Sequence, residues 1–167
     1  MQRSGPLSEV ATAHIGIQML TALQSIHEQG LLHRDVKPGN FVLGRRPEDA
    51  SKVFLIDFGL VRRHLMSDGT PRPQRGRTPF RGTTHYASVA AMMGDDLGRV
   101  DDLWSLAFTL LELCRGRLPW DNMYCRGLHG EQKERAKRKV MEEKKRLIAA
   151  AVHPDPLTSR TLRPSGR

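Results

Sequence analysis

Two stretches of this sequence decide its fold: LLHRDVKPGN at residues 31–40 and DFG at residues 57–59. Short apolar runs occupy residues 41–43 and 53–56 between them, and the intervening residues 44–52 are charged and rich in turn formers. Apolar runs of this length, joined by such a turn, are typical of a β-hairpin. The sequence therefore predicts a hairpin that brings the two polar stretches to neighbouring strand ends.

The polar stretches carry oxygen donors that suit a phosphate and its metal ion. Asp35 and Asp57 supply carboxylates, and Asn40 supplies an amide oxygen. Hard cations such as Mg²⁺ bind such oxygens and retain several waters. Phosphoryl transfer also requires a group that positions the attacking hydroxyl and a cation beside the transferred phosphate. Because Lys37 lies among the oxygen donors, the stretch predicts a phosphoryl-transfer site, whereas each motif alone would suit a surface charge cluster.

Length and composition are those of one domain. Of the 167 residues, 38% are hydrophobic and 27% are charged, which is enough for a soluble domain with its own core. The formal net charge of +9 favours acidic partners such as nucleic acid, anionic lipid or phosphorylated proteins. Cys114 and Cys125 have neither the number of a disulfide framework nor the spacing of a zinc site, so we expect inert thiols.

No segment predicts a membrane association. The residues after Met1 lack the apolar core of a signal peptide. The longest apolar run, residues 103–114, is too short to cross a membrane and includes polar positions. We therefore expect a soluble protein of a reducing compartment, the cytoplasm or the nucleus.

The first helical pattern covers residues 8–29. Ser8 is a suitable N-cap, and Gly30 follows the last turn, where a left-handed residue ends many helices. Two apolar stripes run side by side along the segment, which predicts a helix buried along much of its length. His14 and His27 on this helix have no partner at ligand spacing and are interpreted as surface or boundary residues.

Two further helices are predicted in the second half. Residues 87–93 predict a short helix ended by Gly94. Residues 99–114 are apolar almost all round, which places their helix in the middle of a core. Asp101 and Asp102 lie in its first turn, where the helix dipole favours negative charge.

Residues 60–86 predict a loop, because they combine prolines, glycines and many arginines. One interpretation is a solvated, mobile loop with a basic bias. The other is an activation segment that binds an anion and becomes ordered on a phosphate or an acidic peptide. The arginines concerned are Arg62, Arg63, Arg72, Arg75, Arg77 and Arg81.

The C-terminal part is less informative. Residues 131–148 predict a highly charged helix with a thin apolar face. We interpret it as a solvated helix of mixed charge, and a basic helix for nucleic acid or a calmodulin-type partner is the alternative. Residues 152–167 hold three prolines and no periodicity, so disorder is expected there.

Five motifs follow one another in the chain: HRDVKPGNF (33–41), LIDFGL (55–60), RGTTHYAS (81–88), GRVDDLWSL (98–106) and LPW (118–120). With them the chain resembles the C-terminal lobe of a eukaryotic protein kinase, and within that family the casein kinase 1 group, tau-tubulin kinases in particular. The resemblance is carried by residues 8–120. It implies a mainly α fold with a small β-hairpin, in which the N-terminal lobe of the kinase is absent.

The resemblance also implies a division of the chain and a function. The kinase lobe is expected at residues 1–120, a basic helix that is a divergent helix of the lobe at 121–150, and a disordered tail at 151–167. The implied activity is transfer of the γ-phosphoryl group of ATP, with Mg²⁺, to serine or threonine hydroxyls of proteins.

The resemblance assigns the reacting groups as follows. Asp35 orients the substrate hydroxyl and accepts its proton, and Lys37 neutralises the transferring phosphate. Thr83 hydrogen-bonds Asp35 and Lys37 across the substrate-facing loop. Asn40 and Asp57 hold Mg²⁺, so Asn40 also contributes to cofactor binding.

Further residues support these groups in the family pattern. Val42 forms the floor under the adenine, and Ile56 precedes the metal ligand. Asp102 is a buried anchor for the catalytic-loop backbone. His33 and Phe58 stack in the hydrophobic spine, Gly59 completes the DFG motif, and Arg34 joins the loop arginines in binding an anion, which implies acidic or pre-phosphorylated substrates.

The sequence also departs from the family pattern. Its 167 residues include no Gly-rich phosphate loop and no strand lysine with a partner glutamate, and Ala90 stands where the casein kinase 1 group usually has Asn. We therefore expect little or no activity from the isolated chain, and an exposed apolar surface that an N-terminal lobe or another protein covers. The alternative is a non-catalytic kinase-like module that binds substrates or regulators. Nucleic-acid binding rests on charge alone and is disfavoured.

Overall fold

The computed structural model describes residues 5–73, 76–124 and 127–152. Arg75, Cys125 and residues 153–167 lie outside the described residues. Of the tail expected to be disordered over residues 151–167, positions 151 and 152 are described and end a helix. The described part is mainly helical and contains two small antiparallel sheets, which confirms the predicted fold class. None of its helices is both long and apolar enough to span a membrane.

Helices α1 (Glu9–Glu28) and α3 (Arg99–Arg115) pack against each other. Ser8 caps α1 by accepting a hydrogen bond from the main-chain N–H of Ala11 at 3.2 Å, and Gly98 precedes α3. The helices approach closely at Gly16, because a Cβ atom there would lie only 3.1 Å from the side chain of Leu110. Both predicted helices are confirmed, each within one residue at its ends.

The predicted hairpin is also confirmed. Strand β2 (Phe41–Leu43) pairs antiparallel with β3 (Val53–Leu55), with Phe41 opposite Leu55. The same apolar residues that predicted the strands pack partly against α1, where Phe41, Val53 and Leu55 contact the core around Met19 and Leu23.

A second strand pair was not predicted. Strand β1 (Leu31–Leu32) pairs antiparallel with β4 (Arg62–Arg63), so the loop expected over residues 60–86 is wrong at its start. Strands of two residues have no room for an alternating pattern, and the pairing joins positions 30 and 32 residues apart in the register Leu32↔Arg62 and Leu31↔Arg63. The pair fixes the first two residues of the segment 31–40, which is called the catalytic stretch below.

Two helices complete the described fold. Helix α2 (Val89–Met93) begins after Ser88 and ends at Gly94, which has φ 81°. Helix α4 (Gly130–Val152) packs against α2 and the turn that follows Trp120. A second core cluster joins α3 to α4 through Phe108, Leu118, Trp120 and Val140.

Three predictions of burial need correction. Val10, Ile17 and Leu20 of α1 are exposed, and so are Val100, Leu103 and Trp104 of α3. The exposed residues show that part of each helix surface is left uncovered by the described residues, so neither helix is buried all round.

Helix α4 differs from its prediction in the opposite direction. Val140 and Lys144 of this helix have no exposed surface, although the segment was interpreted as solvated. The buried face of α4 was not recognised from the sequence, because one of its central positions is a lysine, a residue that usually predicts exposure.

Candidate active site

The catalytic stretch is held from behind by one buried carboxylate. Asp102, in the first turn of α3, accepts hydrogen bonds from the main-chain N–H groups of His33 and Arg34, each at 2.8 Å. Its Oδ2 atom also lies 2.8 Å from Nε2 of His27 on α1. Because Arg34 has φ 66°, a conformation that costs energy for a residue with a side chain, this anchoring maintains a strained loop.

Asp35, Lys37 and Thr83 form one hydrogen-bonded group at the surface. Lys37 Nζ lies 2.5 Å from Asp35 Oδ2, and Thr83 donates from its hydroxyl to Asp35 Oδ1 at 2.8 Å. Lys37 Nζ also lies 3.3 Å from Thr83 Oγ1. Both oxygens of the Asp35 carboxylate are therefore oriented by neighbours, although Asp35 and Thr83 are 48 positions apart.

Thr83 can approach Asp35 because a glycine precedes it. Gly82 has φ 109°, and a Cβ atom there would lie 2.9 Å from the main-chain oxygen of Arg34. A side chain at this position would push the loop away from the catalytic stretch, so the contact between the two segments depends on glycine.

Asn40 and Asp57 lie at adjacent strand ends, as predicted from the hairpin. The N–H of Ile56 donates to the main-chain oxygen of Asn40 at 2.9 Å, which joins the end of the DFG strand to the start of β2. Asn40 is buried, and its Nδ2 donates to the main-chain oxygen of Asp35 at 2.8 Å. Asp57 is exposed and has φ 64°, and its Oδ1 accepts a hydrogen bond from the N–H of Gly59 at 3.3 Å.

The other residues assigned to the site from the sequence are His33, Phe58, Val42 and Ile56. His33 is fully buried, packs edge-on against Phe58 with 5.6 Å between ring centroids, and lies 3.2 Å through Nε2 from the main-chain oxygen of Ile56. Val42 and Ile56 are both exposed on the hairpin. Val42 lines a shallow apolar groove, and Ile56 does not.

Three arginines surround a cavity of about 310 Å³ beside the catalytic stretch: Arg34, Arg62 and Arg81. Burial lowers the pKa of Arg34, and the charges of Arg62 and Arg81 lower it further. Arg34 Nε donates to the main-chain oxygen of Leu60 at 2.7 Å, and Arg62 pairs with Asp96 at 2.7 Å. Of the other arginines predicted for this loop, Arg63, Arg72 and Arg77 do not line the cavity.

Sequence reasoning missed some residues that hold the site together. His27 was interpreted as a surface or boundary residue, but it is buried against Asp102. Asp101 was assigned only to the helix dipole, but its carboxylate accepts hydrogen bonds from Ser88 Oγ at 2.6 Å and from the N–H of Gly98 at 2.8 Å. Their partners are distant in sequence or lie in loops, so periodicity gave no signal for them.

Comparison with known proteins agrees with this geometry. The protein kinase domain family matches residues 1–162, which includes the helix α4 that the motifs did not cover. The chain therefore belongs to the protein kinase domain family.

The relatives that the chain matches include proteins named as serine/threonine-protein kinases and as casein kinase 1-like proteins. It is 45% identical over 134 residues to a Dictyostelium discoideum protein named a probable serine/threonine-protein kinase, covering 80% of this chain and 27% of that protein. It is 42% identical to a casein kinase 1-like protein of Oryza sativa subsp. japonica, covering 76% of this chain and 18% of the relative. A casein kinase I homolog of Kluyveromyces lactis is 36% identical, with 66% and 21% covered. The chain thus spans about a third or less of the length of these three relatives.

Proposed function

We propose that the protein is a serine/threonine protein kinase that transfers the γ-phosphoryl group of ATP to protein hydroxyls. The observation that carries the proposal is the group formed by Asp35, Lys37 and Thr83. The Asp35 carboxylate, whose side chain is only 9% exposed, positions a substrate hydroxyl and accepts its proton, and the Lys37 ammonium beside it neutralises charge on the transferred phosphate. Thr83 holds both groups in register.

The donor set at the strand ends fits Mg²⁺ bound to ATP. Asn40 uses its amide N–H as a donor, which leaves its Oδ1 as an acceptor for a cation. Asp57 adds an exposed carboxylate. In the part of the chain that the structure describes, no group of three or more His, Cys, Asp or Glu side chains could hold a metal. Mg²⁺ tolerates such a sparse protein site, because phosphate oxygens and water complete its octahedron.

The arginine cavity supports a preference for acidic or pre-phosphorylated substrates. Arg34, Arg62 and Arg81 place three cations around one cavity against two carboxylates, Asp95 and Asp96, so the cavity keeps an excess of positive charge that favours an anion. Arg62 Nε is buried without a hydrogen-bond partner in the described residues. The closer resemblance to tau-tubulin kinases is part of this proposal, as is a location in the cytoplasm or nucleus.

These 167 residues supply candidate contacts for only one side of the nucleotide. Val42 and Ile56 supply an apolar surface for the adenine, and no glycine-rich phosphate loop or strand lysine occurs in the sequence. We propose that the chain tested alone is weakly active or inactive. Phe54, which lies opposite Val42 in the hairpin, is exposed, and so is Phe58, so we further propose that a small lobe or another protein covers this apolar surface.

The same exposed surface favours a second candidate, a non-catalytic kinase-like module that binds substrates or regulators. A direct test separates the two. The chain is incubated with Mg²⁺ and γ-labelled ATP and with casein, alongside Asp35→Asn and the exposed control Asp68→Asn. Label transfer that disappears in Asp35→Asn and persists in Asp68→Asn supports the kinase. Because the isolated chain is expected to be weakly active or inactive, absence of transfer alone does not separate the two candidates, and absence of any thermal stabilisation by Mg²⁺ and ATP supports the binding module.

A further inference from the structure

Helix α4 contacts the segment that carries Thr83 through two lysines on one helix face. Lys137 and Lys144 are seven positions apart, so they lie on the same side two turns from each other. Lys137 Nζ lies 5.2 Å from the ring centroid of Phe80. Lys144 Nζ donates to the main-chain oxygens of Thr84 at 2.9 Å and Ala87 at 2.6 Å.

The groups around the Lys144 side chain are carbonyl oxygens and aromatic rings rather than a carboxylate. It has no exposed surface, and its Nζ lies 4.7 Å from the centroid of Phe108 and 4.9 Å from that of Trp120. Its third neighbour is Met92 Sδ at 3.9 Å. Burial of an unpaired ammonium is costly, and here carbonyl oxygens and aromatic faces compensate for part of that cost.

The two carbonyl groups belong to a turn that starts at Thr83. The N–H groups of Tyr86 and Ala87 both donate to the main-chain oxygen of Thr83, at 3.0 and 3.1 Å. Trp120 Nε1 donates to the oxygen of His85 at 2.9 Å. Lys144 and Trp120 therefore engage three carbonyl groups of one turn, and the start of that turn carries the hydroxyl that orients Asp35.

We propose that Lys144 is a positioning residue that fixes the turn 83–87 and, through it, the hydroxyl of Thr83 and the surface on which a protein substrate lies. This inference rests on the proposed function for its catalytic consequence. The cleft beside the turn supports it, because Lys37 and Gly39 of the catalytic stretch and residues 82–86 line the same open space. A cation that fixes one wall of this cleft acts on substrate binding without touching the reacting atoms.

Hydrogen exchange tests the positioning directly and needs no catalysis. Amide exchange is measured in the chain and in Lys144→Met, which keeps the length of the side chain and removes its donors. Lys145→Met is the control, since Lys145 is exposed and pairs only with Glu142 at 3.1 Å. We expect the amides of Tyr86 and Ala87 to exchange about ten- to a hundredfold faster in Lys144→Met and to be unchanged in Lys145→Met. Amides of α1 and α3 serve as the internal reference.

Two results would overturn the proposal: unchanged exchange at Tyr86 and Ala87, or an equal acceleration throughout α1 and α3, which would show a general role in stability. The conservative variant Lys144→Arg keeps the charge and several donors, and we expect it to restore most of the protection. If Lys144→Met does not fold, NMR of the unaltered chain decides. Upfield shifts of the Lys144 ε-methylene protons by the two rings support the proposal, and solvent-like shifts contradict it.

Kinetics then separate this inference from the proposed function. In a preparation that phosphorylates protein, Lys144→Met should raise the KM for the protein substrate about tenfold or more and leave the KM for ATP unchanged. An equal change in both constants contradicts the positioning role. If no preparation that contains the unaltered sequence and a covering lobe or partner transfers phosphate to protein, the proposed function fails, whereas the exchange experiment still tests the role of Lys144.

Discussion

The Oδ2 atom of Asp102 lies 2.8 Å from Nε2 of His27, although the two residues are 75 positions apart. This contact joins α3 to the last turn of α1, and the same carboxylate accepts the main-chain N–H groups of His33 and Arg34. The conformation of the catalytic stretch therefore depends on a residue that does not reach the cleft itself.

Replacing Asp102 should destabilise the fold. In Asp102→Ala the N–H groups of His33 and Arg34 lose their acceptor inside the protein. An unsatisfied buried donor costs about 1–3 kcal/mol, so we expect a loss of roughly 2–5 kcal/mol in the free energy of unfolding. Urea denaturation measures this loss. Asp68→Ala, at an exposed turn, should change stability much less than Asp102→Ala. A comparable effect of both variants would contradict the anchoring role.

The hydroxyl of Thr83 should matter for rate more than for folding. Thr83→Ala removes the donor to Asp35 Oδ1 and frees the carboxylate to rotate. We expect phosphoryl transfer to fall roughly ten- to a hundredfold, because misplacing a positioned group by a small distance reduces the rate by such factors.

Thr83→Ser is the matched control, since it retains the hydroxyl and should retain most of the activity. Steady-state rates with Mg²⁺ and ATP, measured beside thermal unfolding, check the prediction. Equal rates for the alanine and serine variants would show that the hydroxyl of Thr83 does not contribute to the reaction.

The arginine cavity predicts a selective effect of Arg62. Arg62→Gln removes a cation from the cavity, whereas Arg63→Gln changes the exposed neighbour on the same strand, which does not line it. A hydrogen bond to a charged group contributes about 1.5–3 kcal/mol, so we expect the KM for a phosphorylated peptide to rise about tenfold or more in Arg62→Gln. The unphosphorylated peptide should be affected less.

Salt dependence provides the control for this experiment. The preference for the phosphorylated peptide should weaken as ionic strength rises, because exposed charges are screened. Equal losses in Arg62→Gln and Arg63→Gln would point to a general effect of charge, and the cavity would then have no specific role.

The hairpin and the chemistry of the catalytic stretch were predictable because they are local. Apolar runs on either side of a turn determine β2 and β3, and the strand ends bring Asn40 close to Asp57 without any long-range information. The helices α1 and α3 were predictable for the same reason, since their caps and periodicity lie within the segment.

The support of the site was not predictable, because it depends on distant partners. Lys144 contacts carbonyl groups 57 and 60 positions away, and a main-chain oxygen has no signature in the sequence. His27 was assigned a local role that suited its helix, and the anchoring role of Asp102 was expected only from the family resemblance, since the local pattern indicated no more than a helix-dipole role. Periodicity predicts that a polar residue is exposed when no partner lies nearby in the sequence. If its partner is a backbone group, or a residue tens of positions away, the polar residue can be buried in the fold.

The stability of the chain should depend on pH through Lys144. Burial lowers the pKa of this lysine from 10.5 to about 7, so between these values the unfolded chain binds a proton that the folded chain does not. The free energy of unfolding should then rise with pH from about 7 to about 10.5, by at most about 1.4 kcal/mol per pH unit for one proton. Below pH 7 both states carry the charge, so the cost of burying the ammonium is fully present and the free energy of unfolding no longer changes with pH through Lys144.

Comparison of variants isolates that contribution from other titrating groups. His85 and Tyr86 lie in the contacted turn, Glu143 and Lys145 flank Lys144 on α4, and Asp121 follows Trp120. All of these remain in Lys144→Met, so the difference in unfolding free energy between this variant and the unaltered chain reports on Lys144 alone. We expect that difference to change in favour of the unaltered chain as pH rises through this range. A difference that stays constant from pH 6 to pH 10 would show that the carbonyl oxygens and aromatic rings hold the ammonium charged throughout.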